Sequence, residues 1–171
     1  MGWFTKRRSA APEFESTKPQ SASPGPADAA YDLSAPDLSP PNEAELAWMA
    51  GHLHYCAERD VDIENAEMIA ALYERLRATW ASATDLERPD PNPFINALGT
   101  ALGEHLVRRC GMRWVVAADA YGNELAVVGP VGDLIVYPAN AVGQRWATQE
   151  SGAFVVAISD ETAAVAGRLR S

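Results

Sequence analysis

Met112–Tyr137, MRWVVAADAYGNELAVVGPVGDLIVY, is the stretch that decides the fold. Two runs rich in β-branched residues, Met112 to Ala118 and Glu124 to Val128, are separated by Tyr121, Gly122 and Asn123, the residue types of a hairpin turn. Pro130, Val131 and Gly132 turn the chain again before Leu134 to Tyr137, and Pro138 stops the third run. Three short extended runs joined by tight turns predict a three-stranded antiparallel meander. Period-2 alternation places Val116 on the face of Trp114.

Upstream of Gly111 the apolar period is helical. Asn42 with Glu45 three residues on is a capping-box pattern, and Leu46, Met49, Ala50, Leu53 and Cys56 form the inward stripe of a helix running to about Glu58. Asp62 is a plausible cap for a second helix whose stripe is Ala66, Ile69, Leu72, Tyr73, Leu76 and Trp80. The short connection predicts an antiparallel helical hairpin. Prolines 89, 91 and 93 interrupt regular structure until Asn92 caps a third helix, with Pro93 in its first turn and Gly111 ending it. Downstream, Asn140 to Trp146 reads as a short helix or an irregular segment. Phe154, Ile158, Val165 and Leu169 make a helical stripe, although Phe154 to Ile158 alone fits a strand equally well. The expected fold is α+β: a helical hairpin and a third helix packed on a three-stranded antiparallel meander, closed by a C-terminal helix.

Residues 1–41 read differently. Ser9 to Pro41 is dominated by Ser, Pro and Ala with scattered acids, and has prolines at 12, 19, 24, 26, 36, 40 and 41. Such a stretch buries too little apolar area to offset its ordering entropy, so 1–41 is expected to be a disordered tail and 42–171 a single domain. Ahead of it, Trp3, Phe4, Lys6, Arg7 and Arg8 form an aromatic and basic cluster of the kind that makes a weak contact with an anionic membrane surface or an acidic partner. Position 6 is Lys where a myristoylation signal takes Ser or Thr.

The formal charge of −9 and pI near 4.7 argue against nucleic acid, which needs a basic stripe to meet its phosphates. Cys56 and Cys110 show no disulfide spacing and read as buried thiols of a reducing compartment. With no apolar run of membrane-spanning length and no signal-peptide core, a cytoplasmic location is expected.

Residues Asn96 to about Arg145 resemble a bacterial domain of unknown function. The resemblance is carried by a helix with Leu98, Gly99, Gly103 and Glu104, a strand with Trp114, a hairpin with Asp119 and Gly122, and a strand exit with Pro138 and Arg145. It implies that helix and meander form one unit, and it supplies no catalytic role.

The residues themselves add little catalytic chemistry. Glu104 and His105 are adjacent on a helix and point about 100° apart, so they do not address one substrate together. His105 lies on the apolar stripe and reads as a core histidine. Glu104 is expected to pair with Arg145 or Arg113. His52 and Cys56 share a helix face while His54 points away, which leaves too few ligands for a metal, and no cofactor motif is present. Gly99 and Gly103, on one helix face, each cost roughly 1 kcal/mol of helix propensity against Ala, a cost that close packing against the sheet would justify.

The reading that follows is a non-enzymatic module, adaptor or immunity-like, that binds another protein. Glu104, Trp114, Asp119, Tyr121 and Arg145 are its candidate contact residues, with Tyr137 and Trp146 as further aromatics beside the meander. The alternative is an enzyme or small-ligand binder with a cleft where Glu104, Asp119 and Arg145 converge.

Overall fold

Four antiparallel strands and five helices build the protein in the computed structural model, which describes residues 35–170 apart from positions 85, 120, 121 and 131–133. Tyr121 and the cluster of Trp3, Phe4, Lys6, Arg7 and Arg8 lie outside the described residues.

The meander forms where its sequence places it. Strand β2 (Arg113–Asp119) pairs with β3 (Gly122–Val128) in a register that sets Trp114 opposite Val127 and Asp119 opposite Gly122. Asp119 Oδ1 accepts the Gly122 N–H at 3.2 Å, and Gly122 takes a φ of 140°, a conformation that side chains with a Cβ rarely adopt. Strand β4 (Ile135–Val136) adds to β3. A fourth strand, β1 (Asp37–Ser39), pairs antiparallel with β2 and makes the sheet order β1-β2-β3-β4. Order therefore starts before Asn42. Prolines at 36, 40 and 41 hide a strand from a compositional reading, yet they suit a short edge strand, where a missing N–H costs nothing on the open side.

Helix α1 (Glu43–Ala57) starts at Asn42 with the expected capping box, Asn42 Oδ1 accepting from Glu45 N–H at 2.9 Å and Glu45 Oε2 from Asn42 N–H at 2.7 Å. Helix α2 (Ala66–Ser82) is capped by Asn65, not Asp62. Asp62 instead closes the turn before it, accepting the Glu64 N–H at 2.9 Å. Helix α3 (Asn92–Cys110) begins after Pro91, and Asp90, not Asn92, supplies the side-chain acceptor, for the Asn92 N–H at 3.0 Å. Gly111, at φ 68°, closes its C-terminus as expected. Helix α4 (Pro138–Thr148) is longer than the sequence suggested, because Pro138 occupies a first-turn position, where its missing N–H is no loss, and opens the helix as it ends the strand. The last element is helical throughout, α5 (Ala153–Arg170).

Helix α3 is the hub. Helices α1, α2, α4 and α5 all pack on it, so α1 and α2 meet through α3 more than through each other. Its buried side is wide, with Leu98, Ala101, Leu102, His105 and Leu106 all inaccessible, which is why no single stripe describes it. An aromatic cluster fills the space beneath α2, α4 and α5, where Tyr73 meets Trp146 and Phe154 edge-on at 5.7 and 5.1 Å. Trp146 is therefore core. On the sheet, Trp114, Val127 and Val136 join this main core, while Val115, Ala117, Ala126 and Val128 form a second buried cluster on the opposite face, with Ile135 and Tyr137 packed against it. No described helix is long and apolar enough to cross a membrane.

Candidate functional site

Trp114 is fixed from two sides. Strand alternation turns it towards α3, where the position a Cβ on Gly103 would occupy is already filled by the Trp114 six-membered ring. Its indole Nε1 donates to Glu104 Oε2 at 3.2 Å. Glu104 Oε1 in turn accepts from Arg108 Nε at 3.0 Å, and Arg108 reaches Glu64 at 3.3 Å. Glu104 thus pairs along its own helix, and neither Arg145 nor Arg113 is its ion-pair partner. The sequence places Arg108 at i+4, the ordinary helical pairing distance, and that local geometry wins.

Gly99 has a different reason to be bare. A Cβ there would lie 2.6 Å from the Ala139 Cα, so α3 and the first turn of α4 approach backbone to backbone. The expected close approach is real at both glycines, to the sheet through Trp114 at Gly103 and to a helix at Gly99.

Between the start of α1, the middle of α3 and the Trp114 face of the sheet lies a groove of about 470 Å3, open to solvent. Trp48 of α1 and Trp114 of β2 both line it, with Pro138 and Ala139 at the start of α4. Its polar lining is carboxamide and hydroxyl: Asn42, Asn96, Asn123 and Thr100. Among the described residues no Lys or Arg lines it, and Glu45 and Glu124 are its ionisable residues. Trp48 is 45% exposed, and its ring meets the edge of His52 at 4.2 Å. Burial pushes the His52 imidazole below its ordinary pKa, and Nε2 has no hydrogen-bond partner among the described residues.

The other residues singled out from sequence lie elsewhere. Asp119 sits at the hairpin and shares a polar cavity with Glu124, Tyr137 and Asn140. Burial first, and then the Asp119 charge, raises the pKa of Glu124, while the Asn140 backbone N–H opposes the rise. Tyr137 is raised by the same burial and by both carboxylates. Arg145 is on α4, where it donates to the Ala141 carbonyl at 3.3 Å, lies 3.9 Å from Glu150 and stands over the Phe154 ring at 5.4 Å. Glu104 and Trp114 are brought together; Asp119 and Arg145 have their own separate partners. Trp48, Asn96 and Thr100 were not anticipated as groove residues. The available signal was Trp48 itself, a large aromatic outside the expected α1 stripe.

His105 is 1% exposed and both ring nitrogens are engaged. Nδ1 is 2.8 Å from the Ile63 carbonyl, an acceptor only, so Nδ1 carries the proton and Nε2 accepts from the Ser159 hydroxyl at 2.6 Å. Arg109 donates to the same Ser159 oxygen at 2.5 Å and to Asp160 at 2.8 Å. This is a serine beside a base, but Ser159 is fully buried and its oxygen is already used, so no acyl group reaches it. The cluster ties the α1–α2 connection, α3 and α5 together.

No curated protein and no solved structure matches this chain. The segment from the middle of α2 to the start of α5 contains α3 and its two glycines, the Trp114 strand, the Asp119–Gly122 hairpin and α4. This segment, residues 72–156, matches the family described as domain of unknown function DUF3806, for which no activity is assigned.

Proposed function

We propose that the protein is a non-enzymatic module that binds another protein, and that the groove between Trp48 and Trp114 is where it does so. The observation that carries this reading is the open apolar groove with an exposed tryptophan on its rim. Trp48 keeps 45% of its surface in water, and Leu46, on the same helix, keeps 51%. Large aromatics at the edge of a concave apolar site are the residues that dominate protein interfaces. Trp114 supports the reading in a second way. It is held by Gly103 and Glu104 before any partner arrives, so binding there costs little side-chain ordering.

An enzyme with a cleft at Glu104, Asp119 and Arg145 has less support, since each of those residues is engaged with different neighbours. A cytoplasmic location belongs to the same proposal; Cys56 and Cys110 are both buried and lie on separate helices without the spacing of a disulfide framework.

Trp48→Ala tests the site. Partners retained by the native chain from its own cell extract should be lost by this variant and kept by Leu86→Ala, which alters another exposed apolar residue elsewhere. Equal retention by both variants would remove the groove from the interface.

A further inference from the structure

We propose that a cavity between the last turns of α2 and α4 binds a small monocarboxylate with an apolar body. The cavity measures about 370 Å3, within the range of small-molecule sites, and shares no residue with the groove. Arg77 of α2 and Arg88 of the connection to α3 line it, and among the described residues no Asp or Glu does. In a chain of net charge −9, that local excess of positive charge is what lets an anion approach. Arg59, Arg108, Arg109 and Arg145 each reach a carboxylate, at 2.8 to 3.9 Å. Arg77 pairs with none among the described residues, and its buried Nε has no hydrogen-bond partner there. Arg88 is held in place, its guanidinium 4.6 Å over the Trp80 ring and its Nη2 donating to the Ala83 carbonyl at 3.2 Å. Trp146 is the independent sign of a ligand. It lines the cavity and is only 5% exposed, yet its indole Nε1, a donor only, has no acceptor among the described residues. The neighbouring Trp80 indole, by contrast, donates to the Pro89 carbonyl at 2.8 Å. Buried donors in folded proteins are satisfied, and a carboxylate in the cavity supplies the acceptor for Trp146 while it answers the charge of Arg77. Walls from Trp80, Ala81 and Ala147 suit an apolar body. Ala81 and Ala147 lie in the last turns of α2 and α4, whose carbonyl ends carry partial negative charge, so one negative charge fits better than the two of a phosphate.

Calorimetric titration of the full chain with benzoate, benzamide and phenyl phosphate tests the site. Benzoate is expected to bind saturably, with a Kd of about 1 mM or tighter. Benzamide has the same shape without the charge and should bind at least about tenfold more weakly. Arg77→Met keeps the apolar stem and should weaken benzoate about tenfold or more. Arg75→Met alters an exposed arginine of the same helix that does not line the cavity, and should leave benzoate binding unchanged. Three results would overturn the site: no saturation of the native chain by about 10 mM, equal binding of benzoate and benzamide, or equal effects of the two arginine variants. The first two are read on the native chain and so do not depend on how either variant folds. Phenyl phosphate binding tighter than benzoate would overturn the choice of a carboxylate.

Discussion

The indole N–H of Trp114, on strand β2, donates to Glu104 of helix α3 at 3.2 Å, and the same carboxylate holds Arg108 at 3.0 Å. One acid therefore serves the groove and the helix surface at once. Glu104→Ala leaves a half-buried N–H without an acceptor and should destabilise the fold by about 1–3 kcal/mol. Glu104→Gln keeps an acceptor and should cost less. Arg108→Ala removes only its ion pairs with Glu104 and Glu64, which are solvent-exposed on the arginine side, and should cost under about 1 kcal/mol. Denaturant titrations of the three variants rank these effects. If Arg108→Ala matches Glu104→Ala, the indole contact contributes nothing.

Gly103 and Gly51 are both interior helix glycines, yet they should respond to alanine in opposite directions. A Cβ on Gly51 meets nothing within 4 Å, so Gly51→Ala should gain up to about 1 kcal/mol of helix propensity. At Gly103 the same methyl lands on the Trp114 ring. Helix propensity alone would predict a gain there too, but a displaced indole and a shifted helix should make Gly103→Ala a loss of about 1–3 kcal/mol. Thermal melts of the two variants check the signs, and a stabilised Gly103→Ala would mean that the ring moves aside freely.

Gly99 and Gly103 show what was legible and what was not. Helix periods, caps and the meander depend on near neighbours in sequence, and they could be read from Asn42, Gly111 and the Tyr121–Asn123 turn. Close approach at Gly99 and Gly103 was legible from the propensity cost. What touches them was not, because Ala139 and Trp114 come into contact only through tertiary packing. Strand β1 was hidden by its prolines, since an edge strand of three residues needs little propensity of its own once β2 offers a free ladder. The groove was hidden for a related reason: it is the space left between α1, α3 and the sheet, and Trp48 becomes significant only when Trp114 is known to line the same space.

The buried clasp of His105, Ser159 and Arg109 predicts a structural loss on removing one hydroxyl. Ser159→Ala leaves the buried His105 Nε2 without a donor and takes from Arg109 one of its acceptors. A cost of about 1–3 kcal/mol is expected by chemical denaturation, with faster amide exchange around Ile63 and in α5. An unchanged midpoint would show that the network is not coupled to folding.

His52 makes stability depend on pH, and the sign follows from its burial. Desolvation lowers its pKa in the folded protein, so as pH falls the unfolded chain takes up the proton before the folded chain does. The slope of unfolding free energy with pH is set by protons bound unfolded minus protons bound folded, which is positive for this residue, so its contribution is present above the ordinary imidazole range of about 6.5 and is lost below it. His52→Phe keeps a ring against Trp48 and removes the titration. The unfolding free energies of the native chain and the variant should therefore diverge between about pH 7 and about pH 5, with the native chain losing the more. Subtracting one profile from the other cancels every other titrating group. Parallel profiles across that range would mean that the His52 ring is hydrated in solution and that the Trp48–His52 contact does not persist.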